Sequence, residues 1–464
     1  MTKTPIALAL LAGAALTGCA VGPNYVRPST PISPTFKEAA GWTSAAPADA
    51  LERGDWWTLF GDPVLSGLEE RVQVSNQNII AAEAAYRQAR ALVAEQRSAL
   101  FPTVDLTGSG TRSGGGTSGA TAPTSHQSYR VGIGASWEPD VWGRIRRTVE
   151  EAKANAKASE ADLAAARLSA QGELASDYFG LREADAETAL DQATVDGYRR
   201  TLQISQNQFN AGIAPHSDVL QAQTQLDNAL ADLAGTQQQR ATYEHAIAVL
   251  VGEAPGNFSL TPAEWVATIP DVPPGVPSTL LQRRPDIAAA ERRVAAANAD
   301  IGVQTAAFFP DLTLTGAYDF AASELGSLFS ASAATWSLGA SVAETLFDGG
   351  QRRAAVRSAK AGYDQAVAQY RQTVLTALQD VEDQLVASRV LATQYDLRKD
   401  ASASADAAET MVANQYKAGQ VSYIQVVTAQ TSAYSARRAL AQAQAQRQTT
   451  AVALIQSLGG GWKQ

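Results

Sequence analysis

The sequence predicts a mainly α-helical chain with a small β part, built as two copies of one plan. Three observations carry that prediction: long proline-free, alanine-rich stretches, short runs of alternating apolar residues, and an internal repeat. In the repeat, "LFPTVDLTG" (100–108) matches "FFPDLTLTG" (308–316) and "FNAGIAPHSDVLQAQTQ" (209–225) matches "YKAGQVSYIQVVTAQTS" (416–432), at offsets of 208 and 207. An almost ungapped register of that length points to two halves of one architecture.

The chain opens with Lys3 and a short apolar run, Ile6 to Leu16, followed by Leu16-Thr17-Gly18-Cys19. The run has the length of a signal-peptide h-region and is too short for a bilayer-spanning helix. Cys19 is the only cysteine in 464 residues, so no intrachain disulfide is possible. After this leader no apolar stretch approaches 18 residues, so no transmembrane helix is expected. A net charge of −9 argues against nucleic acid as a partner.

Each half then follows the same order. An Ala-rich helical segment (about 65–100, then 285–308) ends at Phe101-Pro102 and Phe309-Pro310, where proline cannot continue a helix. Two alternating runs follow in each half: 103–110 and 129–137, then 311–320 and 336–344. Val131, Ile133, Ala135 and Trp137 share one face of a strand; so do Leu312, Leu314, Tyr318 and Phe320, and so do Trp336, Leu338, Ala340 and Val342. The intervening segments 108–125 and 321–334 are rich in small and polar residues and read as flexible, exposed loops. Tyr129, Trp137, Tyr318 and Trp336 fit an interfacial girdle or an ordinary core equally well.

Very long helices come next. No proline occurs from Trp142 to Asn210 or from Gln351 to Lys417, and at 1.5 Å per residue each helix would reach about 100 Å. Val367, Val374 and Val381 fall seven apart, as in helices that supercoil on neighbours. Turns at "NAGIAP" (210–215) and "KAGQVS" (417–422) hold a glycine suited to positive φ, and a second helix returns to about Val251 and Leu458.

Four strands cannot close a membrane barrel, which needs about eight. An open sheet in lipid leaves its edge N–H and C=O groups unsatisfied. Several chains sharing one barrel resolve this; the competing reading is a soluble coiled-coil rod carrying hairpins.

Leu16-Thr17-Gly18-Cys19 resembles a lipobox, which implies diacylglyceryl modification of Cys19, cleavage before it, and sorting to the outer membrane. The whole chain resembles the TolC-like outer-membrane efflux channels, specifically the NodT-like lipoprotein subunits that partner resistance-nodulation-division pumps. "CAVGPNYVRP" (19–28), "WWTLFGDPVLSGL" (56–68), "WEPDVWGRIR" (137–146), "LFDGGQRR" (346–353) and above all "VPSTLLQRRPDI" (276–287) carry the resemblance.

The resemblance implies a homotrimer with a long α-helical barrel and a shared 12-stranded transmembrane β-barrel, four strands per chain. It implies a passive duct for drugs, toxic compounds or metal ions, docking a periplasmic adaptor and an inner-membrane pump of the resistance-nodulation-division class. Type I protein secretion and a structural coiled-coil lipoprotein are the alternatives. On this plan residues 1–18 are the signal peptide, 19–66 the anchored segment and part of an equatorial belt, and 67–252 the first repeat. Residues 253–284 are an equatorial linker, 285–459 the second repeat and 460–464 the tail.

Adaptor docking is expected at the tips, Asn210, Ala211, Gly212, Lys417, Ala418 and Gly419, and the gate at Ile424, Thr428 and Thr431. Relatives often carry an acid in an "LLDAQ" pattern where this chain reads "VVTAQ" (426–430), so an apolar constriction that dewets is expected instead. Arg283 and Arg284 are expected in belt ion pairs, and the many helix carboxylates on solvated faces or lumen lining. His126, His216 and His245 are scattered, and the motifs of zinc proteases, nucleotide binding and serine hydrolysis are missing. No catalytic, metal or cofactor-binding residue is therefore assigned.

Overall fold

A computed structural model of the chain describes residues 20–30, 54–115, 124–263, 265–270 and 284–460. Cys19, Arg283, and residues 276–283 of the "VPSTLLQRRPDI" stretch lie outside the described residues.

The helices are α1 (Pro63–Ser75), α2 (Gln77–Ser98), α3 (Arg144–Asn210), α4 (His216–Leu250), α5 (Pro285–Ala306), α6 (Gln351–Lys417) and α7 (Tyr423–Ser457). The strands are β1 (Thr103–Gly115), β2 (Thr124–Trp137), β3 (Asp311–Ala322) and β4 (Ala334–Ala343). The duplication survives in three dimensions. α3 and α6 are both 67 residues long, α4 and α7 both 35, and α2 and α5 both 22.

The helix expected over about 65–100 is two helices. Asn76 breaks it by capping the second. Its Oδ1 accepts from the Asn78 and Ile79 amides at 3.0 and 3.2 Å, and its Nδ2 donates to the Leu250 carbonyl at 2.8 Å. The loop expected over 108–125 is shorter than its composition suggests, because β1 and β2 extend to Gly115 and from Thr124. The loop over 321–334 holds two 3₁₀ turns and a buried Leu328.

Two compact units are present, and neither coincides with one repeat. The first comprises residues 1–29, 85–160 and 289–370; the second comprises 30–84, 161–288 and 371–464.

The first unit holds the sheet, antiparallel throughout in the order β1-β2-β3-β4. Asp140 starts α3, accepting from the Ile145 and Arg146 amides at 2.9 Å each. Asp348 does the same for α6, accepting from Gly350 at 2.8 Å and Arg352 at 3.2 Å. The aspartates of "WEPDVWGRIR" and "LFDGGQRR" are thus helix caps, and each also pairs with an arginine, Arg146 at 3.0 Å and Arg352 at 2.6 Å.

In the second unit Trp56, Trp57, Phe60, Tyr178 and Phe179 form an aromatic core; Phe60 and Phe179 meet at 4.9 Å between ring centres. The segment after α4 is stitched to helices by polar contacts. Arg240 on α4 donates to the Leu260 carbonyl at 2.5 Å, and Gln448 on α7 donates to the Val266 and Thr268 carbonyls at 2.7 and 3.1 Å. Arg284 pairs with Asp286 at 2.8 Å and Asp380 at 3.0 Å, and Pro285 opens α5.

Candidate functional site

The sheet of the first unit has two chemically distinct faces. The register aligns Leu106, Ile133, Tyr318 and Trp336 in one row across all four strands. The row Val104, Ala135, Gly316, Leu338 lies on the same face. This face is apolar yet uncovered: Trp336 is 74% exposed and Leu338 81%. The alternate rows read Thr107, Gly132, Asp319, Thr335 and Asp105, Gly134, Ala317, Ser337. On that polar face Asp319 occupies the space beside Gly132, where a Cβ would fall 1.9 Å from its carboxylate. β1 and β4 each lack a second neighbour among the described residues. A sheet that is apolar on one face, polar on the other and unpaired at both edges among the described residues suits lipid on one face, water on the other, and further strands at its edges.

The second unit holds the helix tips. Gly212 has φ +69° and Gly419 φ +71°. At the first tip the Ile213 amide bonds Gln208 O and the Gly212 amide bonds Phe209 O, both at 2.9 Å. At the second, Gln420 bonds Gln415 O and Gly419 bonds Tyr416 O, again at 2.9 Å. Both are Schellman closures, which need the left-handed residue that glycine supplies. Asn210, Ala211, Lys417 and Ala418 are the residues these turns carry outward, and all are exposed. An aromatic pair braces each turn, Phe209 on His216 at 4.9 Å and Tyr416 on Tyr423 at 5.8 Å.

Beneath the second tip, Tyr423, Val426 and Val427 of α7 are buried with Ala222 of α4. The opposite face of α7 presents Ile424, 53% exposed, and Thr428, whose hydroxyl donates to the Ile424 carbonyl at 2.8 Å. Thr431, three residues on, is exposed as well. The structure thus leaves Ile424, Thr428 and Thr431 exposed on α7, spaced as one helix face.

Polar side chains clamp α7 from both sides. Asp191 on α3 accepts from Tyr434 and from Thr236, at 2.7 Å each; Glu187 accepts from Arg438 and Gln442, at 3.1 Å each. Arg437 reaches Asp406 and Glu409 on α6, both at 2.8 Å. Glu187, Asp191 and Glu69 are buried, against the expectation that the helix carboxylates are solvated or line the lumen. Glu69 on α1 is the extreme case: 0% exposed, with neither oxygen hydrogen-bonded among the described residues. Burial pushes its pKa up to about 9. No group of His, Cys, Asp and Glu suited to a metal ion occurs among the described residues.

No helix among the described residues is long and apolar enough to cross a membrane. The chain thus combines a sheet with one exposed apolar face and one polar face with long helical hairpins. The family described as outer membrane efflux protein matches residues 68–253 and 276–460. The chain belongs to that family of outer-membrane efflux channels, TolC- and NodT-like. It is 31% identical to the probable efflux pump outer membrane protein TtgC of Pseudomonas putida, over 100% of this chain and 96% of the relative. It is 30% identical to the cation efflux system protein CusC of Escherichia coli, over 97% of each. Among solved structures it is similar to the outer-membrane channel OprN (TM-score 0.86, 32% identity, 96% of this chain and 100% of that one). It is also similar to the CmeC outer membrane channel of Campylobacter jejuni (TM-score 0.86, 25% identity, 96% of each).

Proposed function

We propose that three copies of this chain assemble into one duct, closing a 12-stranded barrel in the outer membrane and continuing it as a helical barrel into the periplasm. The observation that carries this reading is the open sheet. Its exposed apolar face needs lipid, and each unpaired edge group left in hydrocarbon would cost several kcal/mol. Pairing β1 of one copy with β4 of the next satisfies both edges at once. The duct is passive: an inner-membrane pump of the resistance-nodulation-division class drives transport, and a periplasmic adaptor joins the two at the tips formed by Asn210–Gly212 and Lys417–Gly419. Exposed turns locked by Schellman closures support that docking role. Cys19 carries the lipid anchor. Ile424 narrows the closed duct, with Thr428 and Thr431 behind it on the same face of α7.

Drugs, solvents or metal ions are the cargo, chosen by the pump. Deleting the gene should raise cellular accumulation of the cognate pump's substrates, and the full-length gene should reverse this. Unchanged accumulation of dyes, solvents and metal ions, with the pump and adaptor expressed, would count against the reading.

A further inference from the structure

The first unit contains a cationic cavity that the channel reading leaves unused. Its volume is about 620 Å³. Arg90 and Arg97 of α2, Lys153 and Lys157 of α3, and Arg292 of α5 line it. The lining acid, Glu150, is taken by Arg147 at 2.8 Å. Arg292 sits 3.3 Å from Glu291, and Arg90 lies over the Tyr86 ring at 5.7 Å. Arg97, Lys153 and Lys157 have no ion-pair partner among the described residues. The chain as a whole has a net charge of −9, so this local excess of cations runs against its average.

The strap formed by residues 20–27 indicates which way the cavity faces. The Val21 amide donates to the Trp142 carbonyl at 3.0 Å. Arg147 donates to the Val21 and Gly22 carbonyls and to Asn24 at 3.1–3.3 Å. Asn298 donates to the Pro23 carbonyl at 3.0 Å. Gly22 lies so close to Gly302 that a Cβ on it would be 2.5 Å from the Gly302 Cα. Tyr25, which donates to Glu291, is part of the cavity wall. A strap tethered to the bilayer at Cys19 must run outside the barrel, so the cavity opens to the periplasm and not to the duct. That orientation rests on the lipid-anchor reading above.

The cavity is also near the membrane-facing sheet. α2 ends at Ser98 and β1 starts at Thr103, so Arg97 and Arg90 lie within about 12 Å of the end of α2. Lys153 and Lys157 are about 14 and 20 Å into α3. We propose that this cavity binds a phosphate-bearing ligand, with Arg90 and Arg97 forking onto phosphate oxygens and Lys153 and Lys157 supplying point charges. The planar guanidinium matches phosphate in bidentate geometry, and the ammonium groups tolerate varied headgroups. A cavity of this size accommodates a glycerophosphate group. Basic pockets beside a membrane recruit anionic headgroups through the same chemistry. The source is either an anionic phospholipid or free phosphate.

The test uses the full chain as extracted in detergent, with adducts read by native mass spectrometry. The probes are phosphatidylglycerol, inorganic phosphate, and diacylglycerol, which has no phosphate. Phosphatidylglycerol or phosphate adducts without diacylglycerol adducts are expected. Each lysine accounts for roughly fivefold in affinity, so Lys153→Gln with Lys157→Gln should lose roughly 25-fold. The arginine pair Lys153→Arg with Lys157→Arg should retain binding. Phosphatidylglycerol retained in the presence of excess phosphate identifies the lipid as the source; binding of phosphate alone identifies the free anion. Equal adducts in wild type and the glutamine variant, or none from either phosphate probe, would overturn the proposal. Fatty-acid labelling of Cys19 separates the two readings, since loss of label with phosphate binding intact sinks the anchor and leaves the site standing.

Discussion

Glu69 offers a direct check on the energetics of the second unit. Its carboxyl is fully buried with no hydrogen-bond partner among the described residues, and burial raises its pKa from 4.5 to about 9. Between those values the native carboxyl keeps a proton that the unfolded chain has released. The stabilising contribution is complete below pH 4.5 and falls as pH rises toward 9. At 1.36 kcal/mol per pH unit, three units of that window amount to about 4 kcal/mol at pH 7.5. Glu69→Gln keeps the shape and removes the ionisation. Thermal unfolding of the detergent-solubilised protein should show nearly equal midpoints at pH 5 and a variant increasingly more stable than wild type up to pH 9. Parallel curves across that range would refute the reasoning, and with it the claim that Glu69 is buried without a partner.

Ile424→Asp places like charges at the proposed constriction, so bilayer conductance without the adaptor should rise; wild-type conductance from an intact assembly would move the gate elsewhere. Gly252→Ala should destabilise by about 1–3 kcal/mol, because Gly252 has φ +76° and a Cβ there would lie 2.4 Å from the Ser75 carbonyl oxygen; an unchanged unfolding midpoint would contradict that packing. Cys19→Ser should abolish incorporation of labelled fatty acid, and label on the variant would contradict the anchor.

The features legible in the sequence are those whose cause is local. Alternation along Val131, Ile133, Ala135 and Trp137 fixes which face of β2 is apolar, because the pleat has a period of two. Gly212 and Gly419 mark the tips because only a left-handed residue closes those turns. The interior polar contacts have no such signature. Asp191 meets Thr236 from 45 residues away and Tyr434 from 243, so its spacing along α3 looks like that of any solvated acid. Asn76 breaks the first helix through the Leu250 carbonyl, 174 residues on, with no proline or glycine to announce it.

The central claim is that one chain provides four strands of a barrel it cannot close alone. The mass of the protein extracted from outer membranes in mild detergent tests this most directly, once bound detergent is subtracted. The account predicts three times the chain mass, with the same species conducting ions in planar bilayers. A membrane-inserted, ion-conducting species with the mass of a single chain would contradict it.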